Sequence, residues 1–143
     1  MEKLTEFYSD LMARDVELLT GSYHLSGDCD ALTLKLEGRF AVCLDIERIR
    51  TLVQEKEAVS HEWGHIVTDA TYGIDAPPAL RQMAECQANR AQLRRLLPYE
   101  ELRDAMAHGM WEVSQLADYF TVTEDTVRRA LEFYTGPCGL TFQ

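Results

Sequence analysis

The run His61-Glu62-Trp63-Gly64-His65 places two imidazoles four residues apart, with a carboxylate directly after the first. On an α-helix, residues i and i+4 stand on one face, so both rings can grip a single metal ion. Glu62 then sits beside the ion and can reach a bound water without being a ligand. That is the layout expected of a zinc hydrolase whose general base is a carboxylate. The surrounding residues ask for the helix that this layout needs. Thr51-Leu52-Val53-Gln54 reads as a capping box, and Leu52, Ala58, Val59, Trp63, Ile66 and Val67 recur near helical period. The motif helix is expected from Leu52 to Thr68 or Asp69. The competing reading is a pair of ordinary surface or core histidines.

Catalytic zinc takes three protein ligands and keeps one position open for water. The pattern H-E-x-x-H-x-x-G-x-x-H does not supply the third, because Thr68 and Thr71 stand where it needs glycine and histidine. Glu85, in Ala84-Glu85-Cys86-Gln87-Ala88-Asn89, is the best candidate. Asn89, one turn further along, is placed to orient a ligand by a hydrogen bond. Ala84, Ala88 and Ala91 form a small-residue stripe that would let this helix approach the motif helix closely. The competing role for Glu85 is an exposed residue paired with Arg81 at i,i+4. Asp69 and Asp75 are rival ligands. Asp69 lies about 6 Å further along the helix axis than His65, and Asp75 lies in a loop.

With 143 residues, 46% of them hydrophobic, the chain can bury one core. The class expected is α+β: mostly helical, with a small antiparallel hairpin packed on the motif helix. A helix is expected from Leu4 to Leu19, with Leu4, Phe7, Leu11 and Leu18 on one face and Gly21 ending it. A polar loop, 22–30, follows, with room for a short strand ahead of Gly27. Ala31–Leu36 and Arg39–Leu44 alternate around the turn signal Glu37-Gly38, which reads as a hairpin. Further helices are expected over Pro78–Leu97, Tyr99–His108, Val113–Phe120 and Glu124–Tyr134. The domains expected are a core over 1–100, a helical extension over 101–135 and a loose tail over 136–143. A net charge of −10 repels nucleic-acid backbone. The scattered Cys29, Cys43, Cys86 and Cys138 read as reduced thiols. The charged N-terminus does not read as a signal peptide, and no apolar run spans a bilayer. A cytoplasmic location, without membrane or nucleic-acid partners, is the expectation.

The segment Ala58-Val59-Ser60-His61-Glu62-Trp63-Gly64-His65, followed by Glu85-x-x-Ala88-Asn89-Arg90 and Leu96-Leu97-Pro98, resembles the ImmA/IrrE family of metallopeptidases. The resemblance covers about residues 40 to 100. It implies His61, His65 and Glu85 as zinc ligands, Glu62 as general base, and a compact α+β protease of the gluzincin kind. It also implies a protein substrate, a helix-turn-helix repressor such as those encoded beside these proteases in bacteria and their mobile elements. The chain departs from the family at Trp63, where an aliphatic residue is usual, and at Arg90-Ala91-Gln92.

In the chemistry so implied, Glu62 takes the proton of the attacking water and passes it to the leaving amine. Tyr72, Tyr23, His24 and His108 are the candidate oxyanion donors, and the sequence does not choose among them. An extended peptide can add to an exposed strand edge, unless the N-terminal helix caps the hairpin. The segment 115–131 has the cadence of a helix-turn-helix, with Ala117 at the crossing. Val122, Val127 and Leu131 lie on its core face, Thr123 is its cap, and Thr121 stands where glycine is common. Glu124 and Asp125 at the start of its second helix disfavour DNA binding. Two other functions compete with the peptidase: a regulatory module that binds a transcription factor and cuts nothing, and a DNA-binding regulator.

Overall fold

The computed structural model describes residues 2–23, 29–73 and 75–143. Its described elements run α1 (Glu2–Ala13), β1 (Glu17–Gly21), β2 (Ala31–Leu36), β3 (Arg39–Asp45), α2 (Leu52–Val67), α3 (Pro78–Leu96), α4 (Tyr99–Ala107), α5 (Val113–Phe120) and α6 (Glu124–Thr135). The class is α+β. The chain divides into two compact units, Met1–Ala91 and Gln92–Gln143, so the division falls within the span of α3. No described helix is long and apolar enough to cross a membrane.

The first helix is shorter than its periodicity suggests. Asp15 takes a left-handed conformation (φ 57). Its N–H bonds to Met12 O at 3.1 Å, and Val16 N–H bonds to Leu11 O at 3.0 Å. This paired closure ends a helix as glycine usually does, and an aspartate in that place gives a weaker sequence signal. Leu18 therefore lies on β1 and not on the helix face. Among the described residues the sheet has three strands in the order β1-β3-β2. β2 and β3 pair antiparallel with Leu36 opposite Arg39, and β1 pairs parallel with β3. The expected hairpin is present, but within a mixed sheet. Glu37 (φ 52) and Gly38 (φ 78) give the two successive positive φ values of a tight type I′ turn.

The alternation of β2 is seated with its polar side inward. Ala31 is buried, and Thr33 and Lys35 bond to side chains of α2 and its cap, while Leu32, Leu34 and Leu36 are 41%, 39% and 73% exposed. α1 packs on α2 from elsewhere. The Phe7 and Trp63 rings meet edge to face at 5.2 Å, Trp63 Nε1–H donates to Asp10 Oδ2 at 2.6 Å, and Tyr8 O–H donates to Glu55 Oε2 at 2.8 Å. Trp63 is thus the residue that seats α1. Burial and the bond to Glu55 raise the Tyr8 hydroxyl well above its ordinary pKa.

In the second unit, Leu97, Leu102, Leu116 and Val127 are fully buried, and Tyr134 O–H donates to Leu97 O at 2.7 Å. Residues 136–143 are tied down. Leu140 N–H bonds to Tyr134 O at 2.8 Å, Tyr99 O–H bonds to Thr141 O, and the Tyr99 and Phe142 rings lie 5.2 Å apart. Thr123 caps α6 as expected, accepting from Thr126 N. Ala117, Val122 and Val127 are buried, but Leu131 is only half-buried, and Ala130, Phe133 and Tyr134 complete the core face. Both arginines of α6 are paired along their own helix, Arg128 with Glu124 at 3.0 Å and Arg129 with Asp125 at 3.3 Å.

Thr121 closes α5 in the left-handed region (φ 56), where a β-branched side chain is strained by about 1–2 kcal/mol. The Thr121→Gly variant is expected to be more stable by about 1 kcal/mol, after allowing for the greater freedom of glycine in the unfolded chain. Urea denaturation checks this, and an unchanged or lower midpoint counts against strain at this turn.

Candidate metal centre

The site begins with the two ends of α2. At the N-terminus, Thr51 Oγ1 accepts from Gln54 N at 3.1 Å and Gln54 Oε1 accepts from Thr51 N at 3.2 Å. This reciprocal cap is worth about 1 kcal/mol. At the C-terminus, Asp69 (φ 50) turns the chain, with Asp69 N–H on Ile66 O at 3.1 Å and Ala70 N–H on His65 O at 3.0 Å. The turn that ends the helix also brings Ala70 back beneath the second histidine. His65 Nδ1 lies 2.6 Å from Ala70 O. A carbonyl oxygen only accepts, so the shared proton is on Nδ1; Nε2, which faces Glu85 Oε1, carries a proton when the ring is charged and a free lone pair when it is neutral. That is the tautomer a ligand needs, fixed by a second contact as ligating histidines usually are.

Both imidazoles stand on one face of α2, with centroids 4.8 Å apart and Nε2 atoms separated by 3.2 Å. Glu85 arrives from α3, its Oε2 2.9 Å from His61 Nε2 and its Oε1 3.3 Å from His65 Nε2. Donor atoms about 2.0–2.1 Å from a shared tetrahedral ion are about 3.3 Å from one another. The Nε2–Nε2 separation is close to that, each ring has a different oxygen of the Glu85 carboxylate within 3.3 Å, and two imidazoles with a carboxylate are a donor set that suits a divalent ion. His61, His65 and Glu85 together could hold a metal ion. Asp69 is engaged elsewhere, accepting from Lys35 Nζ at 2.7 Å. Asp75 is exposed and lies outside this group.

Gly64 explains how α3 comes so near. A Cβ built at this position would lie 2.3 Å from Ala88 O and 3.1 Å from its Cα. Glycine inside a helix costs about 1 kcal/mol against alanine, and here it allows backbone to touch backbone. Of the expected small-residue stripe, Ala88 makes this approach, Ala84 is also buried and Ala91 is half-buried.

Around the three ligand side chains, Tyr72 O–H donates to Glu85 Oε1 at 2.8 Å, and Arg81 lies 5.8 Å over the Tyr72 ring. Glu62 is 6% exposed and accepts a hydrogen bond on Oε2 from the Thr33 hydroxyl. Asn89 is half-buried, and among the described residues no hydrogen bond joins it to a ligand side chain. The orienting role expected of it is filled, for His65, by the Ala70 carbonyl. Of the other expected donors, Tyr23 is exposed, His24 lies outside the described residues, and His108 belongs to the second unit with its Nδ1 2.7 Å from Asp104 O. Thr33, Gly64 and Ala70 were not foreseen as parts of the site.

Hydrogen bonds from His61 and then His65 hold the Glu85 carboxyl well below its ordinary range, against the cost of burial. Burial is the largest single influence on His65 and opposes its charged form. The contacts to Glu85 and Ala70 and the charges of Glu62 and Glu85 together outweigh it, so the imidazole is raised. Burial and the bond to Glu85 push the Tyr72 hydroxyl up to about 12.

No family model, curated protein or solved structure matches the chain.

Two outcomes follow from this geometry. In Gly64→Ala, the new methyl must push α3 from α2. Overpacking of this kind costs about 1–3 kcal/mol, so stability and metal affinity are both expected to fall, as measured by calorimetry and by competition with a chelating dye. For the metal-free protein, the raised His65 contributes stability in full below its ordinary 6.5 and loses it as pH rises through the raised value. The depressed Glu85 contributes above its ordinary 4.5 and loses its contribution as pH falls. Metal ligation needs the neutral ring, so affinity runs the other way and should rise by about tenfold or more from pH 6 to pH 8. Melting curves with added zinc and with chelator check both signs, and Glu85→Ala should flatten both profiles.

Proposed function

We propose that the first unit is a zinc-dependent endopeptidase acting on a specific protein. The observation that carries this reading is a buried carboxylate, Glu62, next to a set of two imidazoles and one carboxylate with metal-ligand spacing. A site built only to bind a metal has no need of a further carboxylate at that place, so the reading as a non-cutting regulatory module is less economical. The spacing of Ala58 to His65 and of Glu85 to Arg90, which resembles the ImmA/IrrE proteases, supports the same conclusion.

His61, His65 and Glu85 would hold the zinc, which when bound makes water more acidic and polarises a carbonyl. The remaining work belongs to this chain. Glu62 accepts the proton of the attacking water through one carboxylate oxygen and returns it to the departing amine, so it ends each cycle as it began. Ala70 keeps His65 in the ligating tautomer throughout. Tyr72, kept protonated by its raised pKa, would donate to a developing oxyanion by turning its single O–H away from Glu85, which accepts it in this structure. Among the described residues β2 is an outer strand of the sheet, and an extended substrate would add to its outer edge through main-chain hydrogen bonds.

The substrate proposed is a helix-turn-helix transcriptional repressor. Its support is the family resemblance. The second unit is proposed to dock such a partner and not DNA. The arginines of α6 are neutralised along their own helix, and the chain carries −10, the reverse of the footprint of a DNA reader.

Purified protein incubated with candidate repressors is expected to cut one of them, and chelator should stop the cut. Glu62→Gln should lower the rate by about 10³-fold or more while metal content stays at the wild-type level. Glu85→Ala should lose the metal, whereas Asp69→Asn should keep it. Cleavage that persists in Glu62→Gln would show the peptidase reading to be wrong.

A further inference from the structure

A buried general base must present one oxygen to the water in a fixed direction, and a glutamate has three rotatable bonds with which to miss it. In this chain the carboxylate of Glu62 has an anchor on another element. Thr33, on β2, donates its hydroxyl to Glu62 Oε2. The direction of that bond is settled by chemistry, since an ionised carboxylate only accepts. A hydroxyl bonded to a charged acceptor is about twice as strong a contact as a neutral pair. The donor is itself held, because threonine is branched at Cβ and stiff at χ1 within a strand.

The strand that carries Thr33 is locked in register on both sides. Across the ladder Thr33 faces Val42, which is fully buried, and two residues along Lys35 Nζ bonds to Asp69 Oδ1 at 2.7 Å. Asp69 is the residue whose left-handed turn closes α2. The inward side of β2 therefore presents Ala31, Thr33 and Lys35 to the site helix and turns its leucines outward. An ordinary half-buried strand would bury the leucines. Slipping β2 by one residue would do so, and would remove the hydroxyl from Glu62.

We infer that Thr33 is the positioning residue of the catalytic base: it holds Glu62 by Oε2 and leaves the second oxygen to exchange the proton of the attacking water. Thr33 keeps its own proton through the cycle and touches no reacting atom, so its effect is on the rate of the chemical step and not on metal or substrate binding. The strand proposed to receive the substrate is then also the strand that orients the base. The assignment rests on Glu62 being that base.

The test compares Thr33→Val, which keeps shape and branching without the hydroxyl, with Thr33→Ser, which keeps the hydroxyl. In the metal-free protein, the infrared band of the Glu62 carboxylate is isolated as the difference between wild type and Glu62→Gln. It is expected to move in Thr33→Val and to return in Thr33→Ser. In the zinc-loaded protein, kcat on a cleavable member of an internally quenched peptide library should fall about tenfold in Thr33→Val, as for a misplaced reacting group. KM and zinc affinity should stay near wild type, and Thr33→Ser should recover most of the rate. A carboxylate band and kcat unchanged in Thr33→Val overturn the inference, and so does a Thr33→Ser variant no better than Thr33→Val. If wild-type protein cuts no peptide or repressor, the peptidase reading fails by itself, and the infrared comparison alone decides whether Thr33 holds Glu62.

Discussion

The contact between Gly64 and the backbone of Ala88 is the constraint on which the rest of the site depends. Two helices normally stand 8–10 Å apart because side chains fill the space between them. Removing the Cβ at the crossing lets α3 rest on α2 by its backbone, and Glu85, one turn before Ala88, is carried to within 3.3 Å of both imidazoles. A carboxylate side chain is short. An extra ångström between the helices would leave it able to reach one histidine or neither. The glycine costs α2 some intrinsic helicity, which the capping at Thr51 and the closing turn at Asp69 offset at the two ends.

Several groups in this unit hold two structures together at once. The turn at Asp69 ends α2, supplies through Ala70 the carbonyl that fixes His65, and offers its own carboxylate to Lys35 on β2. Trp63 lies between the two histidines in sequence but faces α1, where its ring meets Phe7 and its N–H meets Asp10. Its side chain therefore serves the packing of α1 on α2. The ligand atoms are on the other side of the helix. In this way the motif helix is fixed by neighbours on three sides before any ion is considered.

The electrostatics of the cluster point in one direction. Glu85 is held ionised by the imidazoles, and His65 is held towards its charged form by the carboxylates around it. A proton shared among these groups and a divalent cation satisfy the same set of lone pairs. The site is in that sense preorganised for positive charge, and the two kinds of occupant compete for it.

Much of this was legible along the chain. The spacing of His61 and His65, the cap at Thr51 and Gln54, the Glu37-Gly38 turn and the small-residue face of α3 are local signals. Each depends on residues within a few positions of one another, and helical period or turn chemistry reads them directly. Glu85 could be ranked first as a ligand because it shares that small-residue helix. Other features were settled only when distant segments packed. The parallel pairing of β1, the leucine side of β2 turned to solvent, the hydroxyl of Thr33 at Glu62 and the carbonyl of Ala70 at His65 join groups on separate elements or past a helix end. Alternation along β2 shows that its two faces differ. It cannot show which face meets α2, because that choice is made by polar partners on another element, the Glu62 carboxylate and the Asp69 cap.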